Sequence, residues 1–307
     1  MSALRLQLHR TGVLVPVALA TAAAGLLLGG PAGPGAGIAG DRYEAGDRAS
    51  ERVALPPSAA ARVRAAGLRH AAALGLPAGT GTEVARVVDR FDDATFDEVV
   101  TTDAAGGRLS LIRMSPDGRL AAAVRLGWRV PVDRPIGATE AVDRAAAHAA
   151  AAGVPALGTP AVAPVPDGGW RVTWPRTVAD VPVLGDGTSV TVFGDGTIHA
   201  AAVRERPLAP APPTEIDGFV AERIAHERLV ELVGNAAAQV AIVDTRRAWV
   251  APNDTFDASA PDAPASTLRL AWVIEAHASG PLAERLRALE LYLDAGTGAL
   301  LGGDLLR

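Results

Sequence analysis

Residues 181–204, VPVLGDGTSVTVFGDGTIHAAAVR, decide how the rest of the chain is read. Val190, Val192 and Ile198 fall at alternating positions, as a half-buried strand requires. Gly185-Asp186-Gly187 and Gly194-Asp195-Gly196 carry the Asp-Gly chemistry that lets a backbone reverse at positive φ. The stretch therefore predicts two strands and two tight turns. An earlier segment, DGRLAAAVR from Asp117 to Arg125, echoes DGTIHAAAVR from Asp195 to Arg204.

The echo extends to a period. Two Ala-rich helical patterns end in Gly75-Leu76-Pro77-Ala78 and Gly153-Val154-Pro155-Ala156, 78 residues apart, and Asp117 precedes Asp195 by the same 78. In the first round Ser58 is the expected cap of a helix with Val63, Leu68 and Leu74 inward, followed by strands over 84–88, 96–101, 109–114 and 120–130. In the second, Thr139 opens a helix containing Val142 and His148. In the third, Thr214 and Asp217 resemble a capping box, and Ile216, Phe219, Val220, Ile224, Val230 and Val233 recur at helical spacing up to Gly234. Strands are expected there over 240–243, 248–250, 268–277, 289–293 and 299–301.

The fold class this predicts is α+β, as tandem modules of one helix packed on a small antiparallel β-sheet. Its boundaries are a linker over 41–57, a divergent module over 58–135, a module over 136–206, a linker over 207–213, and a module over 214–307 with an inserted Pro- and Asp-rich loop, 251–267.

Residues 1–40 read as an export segment. Arg5 and Arg10 precede an uncharged apolar run from Val13 to Leu28 and then a tail of Gly, Pro and Ala. A cleaved signal peptide with cutting after Ala36 or Ala39 and an uncleaved N-terminal membrane anchor both fit, and both put the remainder outside the cytoplasm. With no cysteine in the 307 residues, disulfides, thiolate metal sites, Cys nucleophiles and a lipid-anchored N-terminus are excluded. The charge is −5, from 29 basic residues, all Arg, and 34 acids. Residues 1–40 contain two Arg and no acid, so the rest carries −7. That balance argues against nucleic acid and gives no polybasic grip on a membrane.

At residues 170–204 and 268–301 the chain resembles the PepSY family and its relatives in the fungalysin and thermolysin propeptides. The match lies in the aromatic strand GWRVTWPR before the VPVLGDG strand and its Asp-Gly hairpin, and in LRLAWVIEA leading to the Asp294-x-x-Thr297-Gly298 ending, LYLDAGTGALL. Residues 58–135 depart most from that pattern. The resemblance implies an exported, non-catalytic module that in relatives serves as a peptidase propeptide, inhibitor or folding aid, or as a sensor-like envelope domain. No peptidase follows in this sequence, which argues against a propeptide role in cis.

No constellation of residues specifies a reaction. His226-Glu227-Arg228-Leu229-Val230 opens like a zinc-protease helix, but Val230 stands where a second His must share the helical face. His70, His148, His199 and His277 have no ligand spacing and read as structural. Gly185-Asp186-Gly187 and Gly194-Asp195-Gly196 lack the alternating oxygen ligands of a calcium loop. Neither a Gly-x-Ser-x-Gly elbow nor a phosphate-binding Gly loop occurs. Glu275 and Glu290 on neighbouring strands suggest an acid/base pair, and outward-facing strand carboxylates explain them more simply. Trp170, Trp174, Trp249 and Trp272 read as core, although several on one exposed face would form a peptide- or glycan-binding surface. Asn253-Asp254-Thr255 is a formal glycosylation sequon.

The expectation is thus a non-enzymatic extracytoplasmic protein with no catalytic residue, metal or cofactor. It would bind a protein or peptide partner in the cell envelope, such as a peptidase it restrains or helps to fold, through a sheet edge. The alternatives are an exported hydrolase with an unrecognised carboxylate site and a structural envelope protein.

Overall fold

In the computed structural model, residues 51–88, 94–127, 132–165, 168–253, 255–256, 267–284 and 286–306 are described. The expected export segment and most of the 41–57 linker lie outside these residues, as does most of the 251–267 loop. No helix among the described residues is long and apolar enough to cross a membrane.

Among the described residues, three α-helices and thirteen strands follow one another as β1 (Glu51–Val53), α1 (Pro57–Ala73), β2 (Gly81–Val88), β3 (Thr95–Thr102), β4 (Arg108–Met114), β5 (Leu120–Arg125), α2 (Ala138–Ala151), β6 (Ala161–Val165), β7 (Gly169–Val178), β8 (Val181–Val192), β9 (Ile198–Arg204), α3 (Gly218–Val233), β10 (Val240–Val250), β11 (Arg269–Ala278), β12 (Ala288–Asp294) and β13 (Leu300–Leu306). Short 3₁₀ segments, Gly234–Gln239 and Gly280–Glu284, precede β10 and follow β11.

The helices bury stripes of small residues. Ala141, Ala145 and Ala149 face inward on α2, and Ala221, Ala225 and Leu229 do so on α3. On α1 Gly67 and Ala71 are buried, and a methyl on Gly67 would come within 2.6 Å of Val99 Cγ2. Residues four apart share a helix face, so these stripes let the helices lie close on the strands. Of the expected inward set on α3, Ile216, Ile224 and Val233 pack against the core, whereas Phe219 and Val230 are exposed. Ser58 does not cap α1, whose N-cap is Pro56 with Pro57 in the first turn, whereas Thr139 does lie in the first turn of α2, whose N-cap is Gly137. Asp217 is itself the cap of α3, its Oδ1 accepting from Val220 N at 2.8 Å.

The sheet corrects the predicted fold class. Instead of separate small sheets, the strands form one mixed 13-stranded sheet in the order β1-β2-β3-β4-β5-β9-β8-β10-β11-β12-β13, with β7 on the other side of β8 and β6 beyond it. The reason is the edges. A separate first sheet would leave β5 with a row of unpaired N–H and C=O groups, and a separate second sheet would leave β9 the same. Those two strands pair antiparallel with each other, Ala122↔Ala202, Ala123↔Ala201 and Val124↔Ala200. Shifting the β5 residue forward by 78 and the β9 residue back by 78 maps this register onto itself. The second join is parallel, Trp249↔Val183, where β8 extends past its last pairing with β9 at Gly187↔Arg204. The 207–213 stretch is strapped down as well: Leu208 bridges Leu268, with Ala209 N donating to Leu268 O at 2.8 Å.

One of the two expected turns is absent. Residues 185–187 run inside β8, and the chain reverses instead at Ala179 and Asp180, both at positive φ, which joins β7 to β8. Gly187 is needed for close approach, since a Cβ there would lie 2.3 Å from Trp174 O. Asp186 is buried, not exposed on a loop. Arg206 Nε donates to its Oδ1 at 2.7 Å, Arg206 N to Oδ2 at 2.7 Å, and Arg176 Nη1 to Oδ2 at 3.2 Å.

Local arrangements recur along the chain. Gly75 and Gly153, at φ 62° and 68°, terminate α1 and α2 with matching bonds, Leu76 N to Ala71 O and Val154 N to Ala149 O, both 2.8 Å. Before α2, Ile136 N donates to Gly194 O and Ile136 O accepts from Trp170 Nε1; before α3, Ile216 N donates to Ala295 O and Ile216 O accepts from Trp272 Nε1. Each helix start is thereby tied to a strand tryptophan and to a hairpin turn.

Candidate peptide-binding edge

A sheet this wide has several edges, and most are guarded. β1 is three residues long and brings Arg52 within 2.9 Å of Glu98. β6 carries Pro164, which has no N–H to offer. At β13, Asn253 closes the backbone, its Nδ2 donating to Gly303 O and its Oδ1 accepting from Gly303 N, both at 3.0 Å. The amide of the formal sequon is therefore engaged in the fold.

β10 is different. One side pairs with β11 along its length, whereas on the other it meets β8 only at Trp249, so Val240 to Arg246 has no described strand on its outer edge. In an antiparallel pair alternate residues turn their N–H and C=O away from the partner, so this edge offers backbone donors and acceptors. The strand bulges between Ile242 and Asp244, leaving Val243 exposed. Bulges blunt an edge, and they also re-aim side chains beside binding sites.

Beside this edge runs an open groove of about 650 Å³, lined by Glu222 and His226 of α3 and by Val240 to Thr245. Glu222 and His226 are four apart and share one face of α3. Phe219, 78% exposed, and Val230, 57% exposed, continue that face one turn before and one turn after. Glu222 makes no hydrogen bond or ion pair among the described residues, and Thr245 Oγ1 is buried without a partner. A buried hydroxyl left unpaired costs about 1–3 kcal/mol, so the groove holds unused polar capacity.

The helix-free face below the edge is acidic. Asp244, Glu275, Glu290 and Asp304 lie in one cross-strand row over β10, β11, β12 and β13. Arg246 Nη1 reaches Asp244 at 2.6 Å and Glu275 at 3.6 Å, and its Nη2 reaches Glu290 at 2.5 Å. His277 Nε2 lies 2.7 Å from Glu275, and Tyr292 Oη donates to Asp304 at 2.5 Å. Burial, the hydrogen bond to Asp304 and the neighbouring carboxylates push the Tyr292 phenol far above its usual range. Glu275 and Glu290 are thus directly opposed, as their strands suggested, and each is held by Arg246 within an ion-paired row.

The other sequence candidates disperse. His226 sits in the groove while Glu227 pairs with Arg223 at 2.8 Å and Val230 points to solvent. His70 bonds to Gly118 O, His148 to Ala73 O, and His199 stacks on Phe193 at 4.4 Å. Among the described residues no group of three or more His, Asp or Glu side chains is placed to hold a metal ion. Trp174 and Trp249 are buried and Trp170 and Trp272 half-buried, so these four form no exposed aromatic face. The β10 groove was invisible in the sequence because its free edge depends on where the parallel strand β8 begins, at Val181. The one available signal was the early stop of the expected strand 240–243, whose last residue, Val243, is the bulged one.

No family model matches the sequence, and no curated protein matches it. Among solved structures the chain is similar to the Bacillus megaterium YpeB C-terminal domain, with 13% identity, a TM-score of 0.42, and 83% of this chain and 99% of that one covered. A likeness of that size assigns no family.

Proposed function

We propose that this chain is a non-enzymatic, PepSY-like extracytoplasmic protein that binds a protein or peptide partner by accepting one of its strands at the outer edge of β10. The observation that carries this reading is the edge from Val240 to Arg246, which no described strand pairs, beside an open groove, in a sheet whose β6 and β13 edges are closed by Pro164 and Asn253. Strand addition supplies affinity through main-chain hydrogen bonds and selectivity through alternate side chains, and it requires no catalytic group. Residues 1–40 act as the export segment, with Arg5 and Arg10 on the retained side. A partner of this kind is an envelope peptidase that the chain restrains.

The test is binding and inhibition measured for the full chain against a panel of purified envelope peptidases. Nanomolar to micromolar binding that slows amide exchange at 240–246 is expected. Absence of both binding and inhibition across the panel contradicts the reading.

A further inference from the structure

Resting on that reading, we infer that the strand accepted at β10 is basic: an extended segment that sets an Arg or Lys side chain against Glu222 and has apolar residues for the flanking stripe of α3. A strand laid along Val240 to Arg246 presents successive side chains to opposite faces. On the helix side it meets the Glu222 carboxylate, which has no partner among the described residues, and His226, with Phe219, Val230 and Val243 exposed around them. On the helix-free side it meets Asp244, the first of the four carboxylates that continue through Glu275, Glu290 and Asp304.

The balance of charge along this edge is one-sided. Arg246 is the cation set among the four carboxylates, and His277 adds charge only when protonated. The nearby arginines of α3 are already committed, Arg223 to Glu227 and Arg228 to Glu231. Arg247 is held by Glu215 at 3.1 Å. An acidic strand would therefore meet like charge on both faces, whereas a basic strand finds an unused carboxylate on one and a surplus of them on the other. Charge complementarity of this kind raises the rate of encounter and rejects the wrong partner more than it adds affinity.

The experiment titrates the full chain with three fluorescent ten-residue Val/Arg, Val/Thr and Val/Glu peptides, in which pairs of Val alternate with pairs of Arg, Thr or Glu so that each face of the strand carries both residue types, and with an N-methylated Val/Arg peptide that cannot donate along the edge. The Val/Arg peptide is expected to bind, the Val/Thr peptide to bind more weakly, and the Val/Glu and N-methylated peptides to show no saturable binding. Glu222→Gln should weaken the Val/Arg peptide roughly fivefold, leave Val/Thr unchanged, and reduce the salt dependence. Equal binding of all three unmethylated peptides, or a Val/Arg affinity indifferent to Glu222→Gln and to salt, overturns the charge selectivity and leaves strand addition standing. Binding of the N-methylated peptide as tight as its parent, or no binding by any peptide, overturns strand addition and the selectivity with it.

Discussion

Replacing Asp186 tests the reading of residues 181–204 at the point where sequence and structure part. In an Asp-Gly turn the side chain would face water, and Asp186→Ala would change stability by no more than about 0.5 kcal/mol. In the observed strand the carboxylate is fully buried and receives Arg206 through both Nε and the backbone N, and Arg176 through Nη1. Truncation to Ala strands two guanidinium groups whose side chains are only 14% and 26% exposed, and leaves the Arg206 N–H without its acceptor. Breaking a buried pair in this way costs about 3–5 kcal/mol. Asp186→Asn keeps the shape and one acceptor oxygen, so it should cost less, about 1–3 kcal/mol. The double change Asp186→Leu with Arg206→Met should recover part of the loss, because no lone charge remains. Urea unfolding followed by tryptophan emission reads all three, since Trp174 and Trp249 are buried in the same sheet. Equal stability of Asp186→Ala and the parent, or an Asn variant as damaged as the Ala variant, refutes the buried-triad argument.

Gly67→Ala should destabilise by about 1–3 kcal/mol through its collision with Val99, despite a helix-propensity gain of about 1 kcal/mol, and adding Val99→Ala should reverse part of the loss in urea melts. Burial raises the pKa of Asp294, but bonds from Thr297, the charge of Arg269 and the Gly296 N–H outweigh it and hold the carboxyl below its usual range. A depressed folded value contributes stability above the unfolded pKa of about 4 that disappears as pH falls through the folded one. The stability gap between the parent and Asp294→Asn should accordingly be full at neutral pH and narrow below about pH 4, as read by urea melts across that range. Because the Tyr292 phenol is pushed far up, Tyr292→Phe should leave the tyrosinate absorbance at pH 11 unchanged; loss of signal in the variant would show that Tyr292 ionises normally.

The helices, most strands and the hairpin endings were legible because each is fixed by neighbours in sequence. Gly75 and Gly153 stop their helices where the letters place them, and Asp294 folds back on Thr297 within the Asp-x-x-Thr-Gly ending. What failed were decisions made by distant residues. Asp186 looks like a turn residue until Arg206 and Arg176 are brought to it, and the actual turn at Ala179 and Asp180 contains no glycine at all. The division into separate sheets failed for the same reason. Ala122 to Val124 and Ala200 to Ala202 fall in different predicted modules, and only the assembled sheet shows that each closes the other's edge. On α3, helical spacing placed Ile216, Ile224 and Val233 correctly against the core but added Phe219 and Val230, which are exposed, and missed Ala221, Ala225 and Leu229, which are buried over β11 and β12. The two exposed apolar residues then fall on the face that borders the β10 groove. The candidate site was readable only as a general expectation of a free edge, because no local pattern marks where a neighbouring strand will begin.

The most direct measurement is residue-resolved amide exchange on the full chain, alone and saturated with the Val/Arg peptide. Slowed exchange concentrated at alternate residues between Val240 and Arg246, with β6 and β13 unchanged, is the predicted result. Exchange at β10 that is indifferent to the peptide, while another edge becomes protected, contradicts the assignment of the open strand.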